Sequence, residues 1–276
     1  MKILVTGANG MLGQDLCPIL EDNGYDVLET DKHNLDITNP NMCMEFVQKE
    51  VPEIVIHCAA YTDVDGAEGD LQTAIKINVE GTKNIANACK NVGSTLIYIS
   101  TDYVFDGNKS KPYEVSDKPA PLNNYGLTKL EGENFVKKHC QNHYIIRTSW
   151  LYGHYGKNFV ETMLSLKDKE NLRVVDDQIG CPTWTVDLAN GIVKIFENYD
   201  FGTYHVCGSG ETSWYEFAKE IFEQEGLVTK LLPCSTEEFP RPAKRPRYSV
   251  MDNNKICRHW KLALKDYLAL RLEEEF

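Results

Sequence analysis

The chain of 276 residues lacks several things, and each absence narrows what it can be. No stretch of eighteen apolar residues occurs, so no segment reads as a membrane-spanning helix. Met1-Lys2 leads directly into Ile3-Leu4-Val5, an apolar run too short for the core of an export signal. The nine cysteines are odd in number and include no C-x-x-C pair, which argues against a disulfide framework and a zinc site. Thiols among apolar neighbours, such as Cys58 and Cys207, behave as small hydrophobes and point to a reducing, cytoplasmic setting. Basic residues are scarce, 29 against 41 acidic, and a net charge of −12 argues against nonspecific nucleic-acid binding. Repeats, low-complexity tracts and flexible linkers are missing as well.

What is present is alternation. Short apolar runs at Ile3–Thr6, Tyr25–Thr30, Ile54–Cys58, Thr95–Ser100 and Tyr144–Arg147 are separated by longer amphipathic stretches. Strands this apolar belong in a parallel sheet covered by helices on both faces. Leu12, Leu16, Ile19 and Leu20 recur at helical spacing, although Pro18 should kink that helix, and a longer helix is expected with Ala74, Ile75, Val79, Thr82, Ile85 and Ala86 on one face. After about residue 150 the alternation loosens, with helices expected near Asn158–Leu166, Thr185–Phe196 and Trp214–Glu225. The expected architecture is α/β: a Rossmann-type doubly wound parallel sheet over 1–150 and a smaller, mainly substrate-binding lobe over 151–276. Strands near Leu172–Val175 and Tyr204–Cys207 are candidates to join the sheet.

Gly7, Gly10 and Gly13 follow the first strand and open the first helix. In that context Gly7 and Gly10 permit a tight turn and the approach of backbone N–H groups to a pyrophosphate, while Gly13 permits close helix–strand packing. The helix N-terminus then faces the anion. Asp31 ends the second strand, where a carboxylate meets the adenosine ribose and favours NAD, or simply caps a turn. Lys32 and His33 follow at once and suit a 2′-phosphate, so NADH and NADPH both stay open. Asp36 can meet the adenine amino group, and small residues at Ala59-Ala60 with Tyr61 and Thr62 can lie against a dinucleotide. Asn78 falls in the following helix.

The fourth strand runs into Ser100-Thr101-Asp102-Tyr103, and Tyr125 and Lys129 stand four apart on one helical face, about 6 Å between Cβ atoms. A hydride arriving at a carbonyl leaves an oxyanion that needs a proton. Tyrosine is a reluctant acid near its ordinary value of about 10, and a neighbouring cation is expected to lower it. Lys129 is that cation, and the Thr101 hydroxyl can polarise the carbonyl.

These motifs resemble the extended short-chain dehydrogenases. The resemblance narrows to the dTDP-4-dehydrorhamnose reductase family on Ala59 through Glu68, Ser100 through Gly107, Pro121 through Gly126, Arg147 through Gly153, Asp177 through Thr183 and the arginine-proline segment 241–247. It implies that Gly10, Met11, Leu12, Asp31, Asp36, Ile37, Ala60, Tyr61, Thr62, Tyr125 and Lys129 touch NADPH or NADH. It implies further that Thr101, Asp102 and Trp150 meet the sugar nucleotide, with Tyr125 as proton donor. The implied substrate is a dTDP-linked 4-keto deoxysugar reduced at C4, by a monomer or homodimer. Trp150 reads equally as core. Arg241, Arg245 and Arg247 are candidates for the substrate diphosphate or for a solvated loop. Some family members form magnesium-linked dimers through glutamates. Here Asp15 stands near the first such position and the others have no identifiable counterpart, which argues against metal-linked dimerisation and leaves Mg2+ open.

Three rivals remain in view. Sugar-nucleotide 4,6-dehydratases resemble this chain but carry Thr-Asp-Glu where it has Thr101-Asp102-Tyr103. Epimerase-reductases of this fold use a Cys–His pair that has no evident counterpart here. A regulatory subunit that binds NADP without turnover, like that of eukaryotic methionine adenosyltransferase, shares the fold.

Overall fold

Runs of β-branched residues and leucine that alternate between two covered faces dictate the centre of this molecule. In the computed structural model, which describes residues 1–274, six parallel strands form one sheet. They are β1 (Lys2–Thr6), β2 (Asp26–Thr30), β3 (Ile54–His57), β4 (Thr95–Thr101), β5 (His143–Thr148) and β6 (Gly202–His205), in the order β2-β1-β3-β4-β5-β6. Ile3 and Val5 point to one face and Leu4 to the other, as a period of two requires. The first face is covered by α1 (Met11–Asp22) and a later helix, Thr185–Asn198. The second is covered by α2 (Pro40–Glu50), α3 (Thr82–Val92) and α4 (Asn124–His139). Strands are added to one side of β1 and then, from β3 onward, to the other, so a crevice opens at the carboxyl ends of β1 and β3, where such sheets bind ligands.

The five early strands fall where the apolar runs place them. Tyr204–His205 joins the sheet in β6, whereas Leu172–Val175 does not. Its strand, Asn171–Val175, pairs only with Lys230–Cys234 as a separate two-stranded parallel ribbon. The edge of the large sheet beside β5 is taken by β6, so that candidate is corrected.

The remaining later elements extend in chain order as α5 (Phe159–Ser165), α6 (Thr185–Asn198, the helix already met on the sheet), α7 (Trp214–Gln224) and α8 (Trp260–Glu274). Helices α5, α7 and α8 bury a second core of aromatics, with Tyr152, Trp184, Phe217, Trp260 and Tyr267 at its centre. Helix α8 has no counterpart among the expected helices, and residues 275 and 276 of the expected lobe lie outside the described residues.

Two local expectations change. The long helix after β3 is interrupted, since Leu71–Ile75 passes through a π-turn at Lys76–Gly81 before α3 begins. Helix α1 runs unbroken to Asp22 with Pro18 on its exposed side, and nothing in the structure explains why proline stands there.

Candidate active site

Backbone geometry builds the first wall of the crevice. Gly7 adopts φ +71°, and a Cβ there would stand 2.8 Å from the Ala59 backbone at the end of β3, so no other residue fits the turn. Gly10 caps α1 without a side chain, which leaves the first-turn N–H groups of that helix to an anion. At the far end of β2, the Asp31 carboxylate accepts from the His33 amide at 2.8 Å and from the Asn9 side chain. The His33 hydrogen bond is the main force holding its carboxyl below the usual range, so it is an anion at neutral pH. Asp36 accepts from the amide and hydroxyl of Thr38 at 2.9 and 2.8 Å.

The second wall is chemical. Asn123 caps α4 by accepting from the Gly126 amide at 2.8 Å, and its own amide donates to the Lys244 carbonyl at 2.8 Å. Gly126 lets this turn press on β4's exit loop, because a Cβ there would lie 2.2 Å from the Tyr103 carbonyl. Tyr125 and Lys129 therefore face the end of β4, where Thr101 and Asp102 are buried. The Tyr125 ring meets Tyr103 edge-on at 5.7 Å, and the Lys129 ammonium lies 4.3 Å over the Tyr98 ring.

A cleft of about 1020 Å³ runs between the walls. It brings together Gly7, Gly10, Met11, Leu12, Asp31, Asp36, Ile37, Ala60 and Thr62 at one end with Thr101, Asp102, Tyr125, Lys129 and Trp150 at the other. Lys32 and His33 also line it. Tyr61 does not; its backbone is held by Asn78, whose side chain accepts from the Tyr61 amide at 2.8 Å and donates to its carbonyl at 3.1 Å. Asn78 also donates to Thr128 at 3.1 Å, tying the cofactor-side loop to α4. Its buried place in the π-turn is a role that residue spacing did not reveal.

Electrostatics at the centre differs from expectation. Burial pushes Tyr125 up to about 12, with a hydrogen-bonding contribution from Thr101 pulling the other way. Lys129 is pushed down to about 7, again chiefly by burial and against the pull of Glu133. The expectation of a phenol made acidic by the ammonium is thus corrected: desolvation penalises both charged forms, and Lys129 is not among the groups that move Tyr125. Asp102 is raised to about 6 by burial. The Ser249 and Thr101 hydroxyls oppose that rise, and the carboxylate is buried where β4 ends at the cleft.

Trp150 lines the cleft and belongs to packing too. Its ring stacks on Trp214 at 3.4 Å and 4°, and its φ of +48° is rare for a bulky residue. The arginines lie behind the cleft wall, where Arg245 reaches the cleft-lining Tyr103. Arg245 forks onto Asp65 at 2.6 and 3.0 Å, Arg241 approaches the same carboxylate at 3.8 Å, and Arg247 is exposed; none of the three lines the cleft. Asp15 accepts from the Thr185 hydroxyl.

The glycine cradle, the anionic end of β2 and the length of the cleft fit a dinucleotide. The Tyr125, Lys129 and Thr101 cluster fits carbonyl chemistry. Comparison with known proteins points the same way. A family model described as "RmlD substrate binding domain" matches residues 1–271. The spore coat polysaccharide biosynthesis protein SpsK of Bacillus subtilis is 43% identical over 98% of both chains. Among solved structures, a dTDP-4-dehydrorhamnose reductase from Clostridium acetobutylicum is 48% identical at TM-score 0.96, over 99% of this chain and 100% of that one. A second, from Bacillus anthracis in complex with NADP, is 44% identical at TM-score 0.94, over 97% and 98%. No helix among the described residues is long and apolar enough to cross a membrane. On fold, site and relationship together, the chain belongs to the dTDP-4-dehydrorhamnose reductase family of extended short-chain dehydrogenases.

Proposed function

We propose that the protein reduces a dTDP-linked 4-keto-6-deoxysugar, dTDP-4-dehydro-L-rhamnose, to dTDP-L-rhamnose for surface-polysaccharide synthesis, using NADPH or NADH. The observation that carries this reading is the convergence of Tyr125, Lys129 and Thr101 in the same cleft as the Gly7–Gly13 cradle. The dinucleotide would lie along Gly10, Met11, Leu12, Asp31, Asp36, Ile37, Ala60 and Thr62, with Tyr61 fixing the loop behind it. Asp31 suits ribose hydroxyls and Lys32 with His33 suits a 2′-phosphate, which supports acceptance of both cofactors. When bound, the reduced nicotinamide supplies a hydride to the sugar carbonyl carbon.

The chain's own residues handle the proton. The Thr101 hydroxyl, which donates to Asp102 Oδ1 at 3.1 Å, redirects that proton to the carbonyl oxygen and polarises it. Tyr125 gives up its phenolic proton as that oxygen becomes an alkoxide, a base stronger than any phenolate. Lys129, as ammonium, stabilises the phenolate left behind. Asp102, next to Thr101, takes a hydroxyl donor of the sugar, and Trp150, stacked on Trp214, lines the same cleft.

We propose a division of labour in which residues 1–150 hold the cofactor and 151–276 mainly the substrate, α6 and β6 completing the sheet. The exposed Arg241 and Arg247, with Arg245 anchored on Asp65, are proposed to meet the substrate diphosphate, since a guanidinium fork matches phosphate oxygens. Glutamine at all three should raise KM for the sugar nucleotide about tenfold, the loss of one charged contact; an unchanged KM removes them from the site. Nine unpaired cysteines support a reducing cytoplasmic setting. The deciding experiment is a panel of nucleotide-linked 4-keto sugars, each assayed with NADH and NADPH by loss of nicotinamide absorbance. Tight NADPH binding with no oxidation by any sugar would replace this reading with a regulatory one.

A further inference from the structure

Beneath the Tyr125–Lys129 turn lies a buried charge cluster that the proposed chemistry leaves unused. Glu133 stands one helical turn beyond Lys129 on α4 and is 0% exposed, and its partner Arg147 on β5 is 1% exposed. Arg147 donates Nε to Oε1 at 2.9 Å and Nη2 to Oε2 at 2.7 Å. The Ser100 hydroxyl, one residue before Thr101 on β4, donates to Oε1 at 2.6 Å. Lys137 closes the outer side at 3.3 Å. A buried ion pair rarely stabilises a fold more than apolar residues of the same volume would, so stability is a poor reason for this one.

The surroundings point instead to the lysine. Tyr98, next to Ser100's strand position on the same face of β4, donates its hydroxyl to the Lys129 carbonyl at 3.2 Å and presents its ring to the ammonium. Glu133 therefore sits where the end of β4, the catalytic turn of α4 and the end of β5 meet. We propose that Glu133 is a positioning residue that acts through Lys129: its carboxylate, pinned by Arg147 and Ser100 one helical turn beyond the lysine, keeps the Lys129 ammonium charged beneath Tyr125. This rests on the reading of Tyr125 and Lys129 as the proton-handling pair.

The groups facing this cluster are few. On α4 they are Lys129, Lys137 and the Tyr125 phenol; from β4 come Tyr98 and Ser100, with Asp102 beyond its end; from β5 comes Arg147. His205 of β6 faces Arg147, and His57 of β3 with Cys58 faces Lys129. Both histidines are held neutral by burial. Glu133 is held below the usual carboxylate range by Arg147 against its own burial. Among the influences on Lys129 it is the strongest one pulling the ammonium back up.

The test is the pH profile of kcat/KM for reduction of the keto sugar. In Glu133→Gln, the alkaline limb, where Lys129 loses its proton, should move to lower pH by about one unit, as expected for loss of a nearby opposite charge. KM for the cofactor should stay within a few-fold, and Glu133→Asp should return the limb to its original place. A variant slowed equally at every pH, with the limb unmoved, overturns the proposal and leaves only a structural role. Should Glu133→Gln fail to fold for want of a counter-ion to Arg147, Arg147→Met, which removes the cation that screens Glu133 from Lys129, should instead move the limb to higher pH, and an unmoved limb is again fatal. If the wild-type protein turns over no keto sugar, or Tyr125→Phe stays fully active, the reading of the catalytic pair itself fails, an outcome separate from both.

Discussion

Tyr125 holds its proton throughout the neutral range because burial outweighs the pull of its neighbours, and a proton donor needs that form. The reaction then depends on the phenol alone for its acid. Tyr125→Phe keeps the ring and loses only the proton. Turnover is expected to fall by about two or more orders of magnitude, the usual size of lost acid–base catalysis, with cofactor affinity within a few-fold by direct titration. Retained turnover would contradict the assignment. Asp102 makes a second residue-level case. Its carboxyl is raised from 3.8 to about 6 in the fold, so the folded state binds a proton that the unfolded state does not in that window. Ionising it above pH 6 costs the fold about 3 kcal/mol. The melting temperature of Asp102→Asn relative to wild type should therefore move in the variant's favour as pH rises from 4 to 7. A gap that does not change with pH would show that Asp102 is not charged at a cost.

Helix α4 is the element on which the site turns, and its N-terminus is where it can be loosened without touching a reacting atom. Asn123 supplies the cap and links it to Lys244. Asn123→Ala should cost about 0.5–2 kcal/mol of stability by denaturant titration. Because α4 carries both Tyr125 and Lys129, kcat should fall more than cofactor KM rises, and Asn123→Asp, which keeps the cap, should recover most of both. Equal loss in kcat and affinity would mean that the cap orients the whole cleft rather than this helix. Such local features were legible in the sequence: the glycine turn, the Tyr125–Lys129 spacing and the apolar strands each depend on neighbours a few residues apart. What was not legible depends on distance. Asn171–Val175 reads like another sheet strand, but β6 already occupies the edge it would need. The π-turn at Lys76–Gly81 breaks a regular helical stripe to turn Asn78 toward Tyr61 and Thr128, partners 17 and 50 residues away. Glu133 and Arg147 look like a surface helix acid and a strand base until α4 is laid over β4 and β5. The direction of the Tyr125 shift is not legible for the same reason, since pair spacing says nothing of how deeply the pair is buried.

At the scale of the whole molecule, acid sensitivity should be set by three buried groups that pull in opposite directions. His57 accepts or donates between Thr6 at 2.7 Å and Thr82 at 3.3 Å, and burial pushes it down to about 3. His205 is pushed down to about 4, also by burial. In the unfolded chain both bind protons below their ordinary value of 6.5, while the folded chain leaves them neutral, so each removes stability as pH falls from 6.5 toward 4. Asp102 works the other way between 6 and 3.8, because there the folded state is the one that is protonated. Two protons favour unfolding and one favours folding, a net of about one proton. Stability should therefore drop by about 1.4 kcal/mol for each pH unit between roughly 6 and 4, before the paired carboxylates contribute at lower pH. His57→Gln offers an amide in place of the ring to both threonine hydroxyls and removes one of the two titrating sites. One histidine then balances one aspartate, and the slope of unfolding free energy against pH across that window, measured by urea titration, should flatten toward zero. An unflattened slope in this variant would mean that His57 is charged inside the fold, and the accounting of the buried core by neutral histidines would fail.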